Sequence, residues 1–213
     1  MSRIVDFLAG GSTPLLARGL VFGLAILGGL ACAREPRFDH PVLVGRPPEV
    51  HMLLPGRMEQ ALERTGAGFR TYAIAEFDSQ IVQVWPGWSY HFDPSQAPFG
   101  VIGDFDGDRR WDVALLQRSK KEYRFVVVFD RDPVPEVVEL ARRPLSAEAS
   151  HEKLWWFLVR IPPGEIDVPN WETGSVDTTI DLGNDAIEVV YFEKSAVMHY
   201  YVDGRFLEIT TAD

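Results

Sequence analysis

The clearest structural signal in this sequence is residues 186–209, which read AIEVVYFEKSAVMHYYVDGRFLEI. The stretch contains three apolar runs of strand length, at 186–192, 196–202 and 205–209. The Asp-Gly pair at 203–204 is typical of a two-residue type I′ turn, because glycine tolerates the positive φ angle that this turn needs. The stretch therefore predicts an antiparallel β-meander.

Upstream of the meander, the sequence favours further strands and little helix. Residues 57–65 are helix formers that place Met58, Ala61 and Leu62 on one face, and Gly66 follows as a stop. Further strand-length runs lie at 70–75, 99–103, 112–117, 123–130, 136–140 and 154–161.

Residues 78–84 leave two interpretations open. Asp78 could cap a helical turn, or the alternating residues that follow it could form a strand. With either interpretation, the sequence predicts an α+β fold. We expect a mostly antiparallel β-sheet or meander with one or two short helices in its N-terminal part.

The loop between two of the predicted strands contains the one motif in the sequence that indicates a chemical function. Residues 103–115 read GDFDGDRRWDVAL, a DxDxDxxxD pattern whose odd spacing points successive carboxylates toward one centre. The four carboxylates are those of Asp104, Asp106, Asp108 and Asp112. The main-chain carbonyl of Arg110 can join them. Hard oxygen ligands at this spacing suit Ca²⁺ better than Mg²⁺, which prefers a tight octahedron with several waters.

A solvated acidic turn is the alternative for this loop. Aspartate and glycine are common turn residues, and Arg109 and Arg110 could partly neutralise the acidic side chains. Against this alternative, like charges that cluster without a cation raise the free energy of the folded state. The acidic run therefore favours a bound ion.

The segment GDFDGDRRWDVALL at 103–116 resembles the FG-GAP or VCBS-type aspartate loop of integrin-like calcium-binding repeats. The resemblance implies that the four aspartates and the carbonyl of Arg110 are the calcium ligands. Gly107 matches the family pattern, whereas Arg109 stands where the family usually has glycine. Leu115 replaces the bidentate glutamate that an EF-hand needs. The chain carries one such loop, so it resembles small bacterial exported proteins with a single loop and not a full propeller.

Residues 1–33 predict a signal peptide. The uncharged stretch 19–31 fits an apolar signal core and is shorter than the roughly 20 residues that span a bilayer. Two processing routes remain open. Residues 31–33 form an A-x-A cleavage site, and residues 30–32 resemble a lipobox that would make Cys32 a lipidation site. Cys32 is the only cysteine, which favours lipidation and excludes an intrachain disulfide.

The exported part is predicted to consist of a proline-rich tether at 34–55 and a single domain at 56–213. Five prolines in 34–55 favour an extended segment. The net charge of −10 argues against nucleic-acid binding, which needs a basic face. We expect a periplasmic protein or a membrane-anchored lipoprotein, rather than a secreted one, that contacts the membrane only through Cys32.

Other residues give weaker signals. Ser89, His91 and Asp93 share one face if they lie on a strand, and no GxSxG motif accompanies them. The five histidines have no HxxxH or HExxH spacing, so we predict no zinc site. The aromatic residues near 85–90 could stack on a sugar or pack in the core. The aspartates at 177, 181 and 185 are predicted to be solvated turn charges.

These observations predict a non-enzymatic function. We expect a calcium-binding structural or interaction module of the bacterial envelope, whose partner is a protein or glycan of that compartment. The alternative is an envelope hydrolase that acts on a glycan or a peptide. The sequence offers no catalytic nucleophile motif for that alternative.

Overall fold

The structure is a computed structural model that describes residues 38–46, 49–88, 95–145, 153–170, 173 and 175–212. These residues fall in one compact unit, which extends from Pro36 to Asp213. The predicted signal peptide at 1–33, with Cys32, lies outside the described residues.

The described residues form fourteen strands and two α-helices, with a single turn of 3-10 helix at Ile74–Glu76. In chain order the elements are β1 (Val42–Arg46), β2 (Glu49–Leu53), α1 (Gly56–Thr65), β3 (Arg70–Thr71), α2 (Ser79–Trp88), β4 (Gln96–Ala97), β5 (Gly100–Gly103), β6 (Asp112–Arg118), β7 (Glu122–Phe129), β8 (Glu136–Pro144), β9 (Trp156–Ile161), β10 (Gly164–Pro169), β11 (Val176–Leu182), β12 (Ala186–Tyr191), β13 (Ser195–Val202) and β14 (Arg205–Ala212).

Two antiparallel sheets organise these strands. The first has the order β4-β5-β6-β7-β8, with β3 paired to β6, and the second has the order β14-β13-β12-β9. Two separate hairpins, β1-β2 and β10-β11, complete the described strands. The predicted α+β class is confirmed, because the described part has mostly antiparallel strands, two short helices near its N-terminal end and neither a closed barrel nor a propeller.

The core is built on both faces of β7, which is why its sequence is apolar without alternation. On one face, Phe125 and Phe129 contact His199 and Tyr201 of the second sheet, with ring centroids 5.4 and 4.9 Å apart. On the other face, Val126 and Val128 lie in a buried cluster with Met58 and Leu62 of α1. The prediction of a helix at 57–65 with these residues on its buried face is confirmed.

Part of the predicted tether at 34–55 is instead a hairpin. Strands β1 and β2 pair from Val42↔Leu53 to Arg46↔Glu49, Val50 is buried, and Leu43 and Met52 pack against the core. The two prolines of this segment that the structure describes, Pro41 and Pro55, lie outside the two strands, so they do not interrupt the hydrogen bonds between them.

The structure resolves the two interpretations of 78–84 in favour of a helix. The carboxylate of Asp78 accepts a hydrogen bond from the N–H of Gln80 at 2.8 Å, and Ile81 of α2 is fully buried. The hairpin β10-β11 was not predicted from the sequence. Asp177 and Asp181, expected in a turn, are exposed residues of β11.

The C-terminal meander agrees with its prediction. Val202 pairs with Arg205, which leaves a two-residue turn, and the φ angles of Asp203 and Gly204 are 51° and 82°. These positive values are those of the expected type I′ turn.

Strand β8 is one of the two outer strands of the first sheet, and its sequence is unlike that of buried β7. It contains Arg142, Arg143 and Pro144 near its end, and its register with β7 shifts between Phe125 and Val126. The strand is therefore more polar than β7, and its pairing is irregular.

His199 is a titratable residue in the layer between the two sheets. Its side chain is 9% exposed, and its Nδ1 lies 3.4 Å from Oε1 of Glu208 without forming a hydrogen bond. Burial lowers the pKa of His199 below its ordinary value of 6.5, and the charge of Glu208 opposes this effect only in part. The folded state therefore favours the neutral ring.

This environment predicts that the free energy of unfolding decreases as the pH falls through 6.5. In that range the unfolded chain binds a proton at His199 that the folded chain does not bind, which costs up to about 1.4 kcal/mol per pH unit. Urea unfolding of the wild type and of His199→Phe at about pH 7.5 and about pH 5.5 checks this. The variant should lose less stability between the two pH values. An equal loss in both proteins would contradict the prediction.

Candidate metal centre

The aspartate loop connects β5 to β6, at one end of the layer between the sheets. Gly103 pairs with Asp112, so the two ends of the loop lie side by side. The loop is therefore a closed turn of eight residues, 104–111, on a rigid base of two buried strands.

Three carboxylates of this loop come together. One oxygen atom from each of Asp104, Asp106 and Asp108 lies within 4.8 Å of the other two. Asp104 and Asp106 are partly shielded from solvent, whereas Asp108 is exposed. Three hard oxygen donors at this separation could hold a metal ion.

The same carboxylates also shape the loop. Asp104 accepts hydrogen bonds from the N–H groups of Gly107 and Arg109 at 2.8 and 2.9 Å. Asp106 and Asp108 each accept one from the residue two positions further on, at 3.3 and 2.8 Å. A carboxylate has about four lone-pair positions, so each retains capacity for a cation.

Repulsion within the cluster affects the protonation of Asp104. Burial is the largest cause that raises the pKa of its carboxyl, and the charges of Asp106 and Asp108 raise it further. The N–H bonds from Arg109 and Gly107 oppose these effects and do not cancel them. A cation in the cluster would stabilise the ionised form.

Asp112, the fourth predicted ligand, lies apart from the three clustered oxygens and is fully buried. Its two carboxylate oxygens accept the N–H groups of Phe105, at 2.9 Å, and of Asp130, at 2.8 Å. Burial raises its pKa to about 7, although these two bonds lower it. Asp112 thus joins the loop to the end of β7, and its role as a ligand stays a prediction.

Arg110, predicted to contribute its carbonyl, uses its side chain elsewhere. The guanidinium donates to the carbonyl of Asp130 at 3.2 Å and to the carboxylate of Asp132 at 2.6 Å. It also lies 3.9 Å from the carboxylate of Asp108. The side chain therefore holds the loop against the turn after β7, and the ligand role of the carbonyl stays a prediction.

The second sheet holds the loop through Asp185, which the sequence reasoning placed among solvated charges. Asp185 is buried instead. Its carboxylate accepts the N–H of Asp104 at 2.8 Å and the Nε–H of Arg160 at 3.0 Å, and its own N–H donates to the carbonyl of Asp104. A Cβ atom on Gly103 would lie 2.9 Å from this carboxylate, so the close approach requires glycine.

Arg131 is a second residue that the sequence reasoning missed. Its Nε–H donates to Asp106 at 2.9 Å, and its guanidinium also bonds to the hydroxyl of Tyr201 and pairs with Glu136. In the alternative of a solvated acidic turn, Arg109 and Arg110 were the residues that could partly neutralise the cluster. Arg131 contacts Asp106 because β7 pairs with β6, which places the residues after β7 beside the loop.

Asp130 is a buried residue near the cluster, and one of its carboxylate oxygens has no described hydrogen-bond partner. The Oδ2 of Asp130 accepts from Arg57 at 2.5 Å, whereas its Oδ1 is buried with no hydrogen-bond partner among the described residues. Burial raises the pKa of Asp130, Arg57 and Arg110 oppose this, and Asp108 adds to it. Asp130 thus has one buried acceptor oxygen that no described donor satisfies.

The other candidate residues lie elsewhere. Ser89, His91 and Asp93 are outside the described residues. Of the aromatic residues near 85–90, Trp85 packs against the core. Trp155 is 48% exposed, while Trp156 stacks on Tyr191 at 6.1 Å.

Comparisons with models of known families, with curated proteins and with solved structures return no match for this chain. Within the described ranges, none of the helices is both long and apolar enough to cross a membrane.

The bonds of Asp112 predict a large effect of its removal. Asp112→Ala leaves two N–H groups without their acceptor, and each such group costs about 1–3 kcal/mol when buried. We expect the free energy of unfolding to fall by about 2 kcal/mol or more, because losing a desolvated charge offsets part of the cost. Urea denaturation measures this, with Asp177→Ala on exposed β11 as the control. A loss no larger than that of the control would refute the structural role.

Arg109 has a φ angle of 69°, which lies in the left-handed region that favours glycine. A left-handed conformation costs a non-glycine residue roughly 1–2 kcal/mol, and the greater chain entropy of unfolded glycine returns part of this. Arg109→Gly should therefore raise the free energy of unfolding by up to about 1 kcal/mol. Arg109→Ala, measured in the same denaturation series, should give no such gain. A destabilised glycine variant would show that the Arg109 side chain makes stabilising contacts.

Proposed function

We propose that this chain is an exported protein of the bacterial envelope in which the loop at 104–112 binds Ca²⁺. The ion would stabilise a structural or interaction module and not an enzyme. The observation that carries the proposal is the approach of the Asp104, Asp106 and Asp108 carboxylates to within 4.8 Å of one another. The resemblance of the loop to FG-GAP and VCBS-type calcium loops supports it.

The type of ligand in the cluster favours calcium over magnesium. Ca²⁺ accepts hard oxygen ligands in a flexible geometry, whereas Mg²⁺ demands a tight octahedron and usually retains several waters. The carboxylates of Asp104, Asp106 and Asp108 supply such oxygen ligands from one short loop. The exposure of Asp108 also leaves room for the waters that complete a shell of six to eight oxygens.

An ion at this position would stabilise more than the loop. The loop is bonded to the end of β7 through Asp112 and to the second sheet through Asp185. A ligand that binds only the folded state raises the stability of that state by mass action. A calcium ion would therefore oppose separation of the two sheets at this end.

We further propose that the partner is a protein or glycan of the envelope. The acidic composition, with a net charge of −10, supports a partner other than nucleic acid. Lipidation at Cys32 would be the only membrane contact. The exposed Trp155 supports an interaction role, because exposed aromatic side chains are frequent at binding surfaces.

Thermal melts of the full chain test the calcium proposal. Extracellular sites bind with dissociation constants of about 10⁻⁴–10⁻³ M. At about 5 mM Ca²⁺ this corresponds to about 1–2.3 kcal/mol and to a rise in Tm of about 2–9 °C relative to excess chelator. The same concentration of Mg²⁺ should give a smaller rise.

Asp108→Asn is the matched variant, because it removes one charge and keeps an oxygen that can accept the N–H of Arg110. We expect it to reduce the calcium-induced rise and to leave the Tm in chelator unchanged or slightly higher, since it relieves repulsion. Asp177→Asn, with the same change of charge on β11, should behave as the wild type. An equal Tm for the wild type in calcium and in chelator would disprove the proposed function.

A further inference from the structure

The contact between Arg131 and Asp106 places a permanent cation against one of the three clustered carboxylates. Both the Nε and the Nη2 atoms of Arg131 lie 2.9 Å from the same oxygen, Oδ2, of Asp106. The Asp106 side chain is only 6% exposed, so water screens this contact weakly.

Arg131 is held in place by groups other than Asp106. Its Nη2 donates to the hydroxyl of Tyr201 at 3.0 Å, its Nη1 pairs with Glu136, and its guanidinium lies 4.5 Å from the ring centroid of Phe129. An arginine side chain stays protonated at any pH at which the protein is folded. The positive charge therefore remains beside the cluster whether or not a metal ion binds there.

We propose that Arg131 sets the affinity of the calcium site by acting as a fixed internal cation that competes with the metal ion for Asp106. This inference rests on the proposed function. Without an ion, Arg131 compensates part of the repulsion among the carboxylates. With an ion, the two positive charges repel each other, so binding is weaker than the carboxylates alone would allow.

The opposite role for Arg131 would be to orient Asp106 and so strengthen binding. Hydrogen-bonded partners of ligating carboxylates often have that effect. Here the N–H of Asp108 already contacts Oδ1 of Asp106, at 3.3 Å, so the carboxylate keeps a partner when Arg131 is removed. A divalent ion bound by Asp106 would lie a few ångströms from the guanidinium, well inside the Debye length of about 8 Å. We therefore expect the unscreened repulsion to outweigh the loss of orientation.

The experiment is calcium titration calorimetry at constant ionic strength on the full chain. Arg131→Met removes the charge, Arg131→Lys keeps it, and Arg142→Met removes an equal charge near the opposite end of β7. We expect Arg131→Met to bind calcium about three- to tenfold more tightly than the wild type. The other two variants should stay within about twofold, and the gain should shrink at high salt.

Thermal melts give an independent readout. In excess chelator, Arg131→Met should melt below the wild type because the cluster has lost its cation, whereas its calcium-induced rise in Tm should be larger. Where Arg131→Met does not fold, Arg131→Gln serves as the neutral variant. It keeps an N–H donor for Asp106.

The outcomes separate this inference from the function on which it rests. If the wild type bound calcium as tightly as the neutral variant, or more tightly, the proposed role of Arg131 would be overturned. The proposed calcium site would remain supported. If Arg131→Lys and Arg131→Met both bound calcium more weakly than the wild type, and to the same degree, the inference would also be overturned. Arg131 would then act by orienting Asp106. Absence of binding in every protein would overturn the proposed function and the inference together.

Discussion

The aspartate loop depends on two buried carboxylates that accept main-chain N–H groups. Asp112 binds the N–H groups of Phe105 and Asp130, and Asp185 binds that of Asp104. Because a buried N–H without an acceptor is costly, these bonds determine where the chain can turn between β5 and β6. They also join three segments that are distant in sequence, so the position of the loop is a property of both sheets.

This arrangement separates the acidic residues of the loop region into two groups. The carboxylates of Asp112 and Asp185 accept main-chain and arginine donors that join the loop to other segments. Those of Asp104, Asp106 and Asp108 accept bonds within the loop and still face one another. The second group is the one whose three carboxylates lie close enough together to share a cation. The structure therefore explains why one short segment can contain four aspartates without using all of them in the same way.

Local patterns predicted much of this fold, and tertiary contacts account for the rest. The helix at 57–65, the meander and its type I′ turn follow from residue periodicity and glycine chemistry, which act over a few residues. The loop aspartates were found for the same reason. Asp185 and Arg131 were missed because they reach the loop only through pairing of distant strands, which no local pattern records. The hairpin at 42–53 was missed because the number of prolines suggested a tether, whereas Pro41 and Pro55 lie just outside its strands.

The outer strand β8 affects how readily molecules of this protein pair with one another at high concentration. A free strand edge offers unpaired N–H and C=O groups that another chain can extend into a continuous sheet, the first step of aggregation. Arg142 and Arg143 near the end of β8, the proline that closes it and its irregular register with β7 all hinder such pairing. This edge of the larger sheet is therefore a poor template for pairing with a strand of a neighbouring molecule.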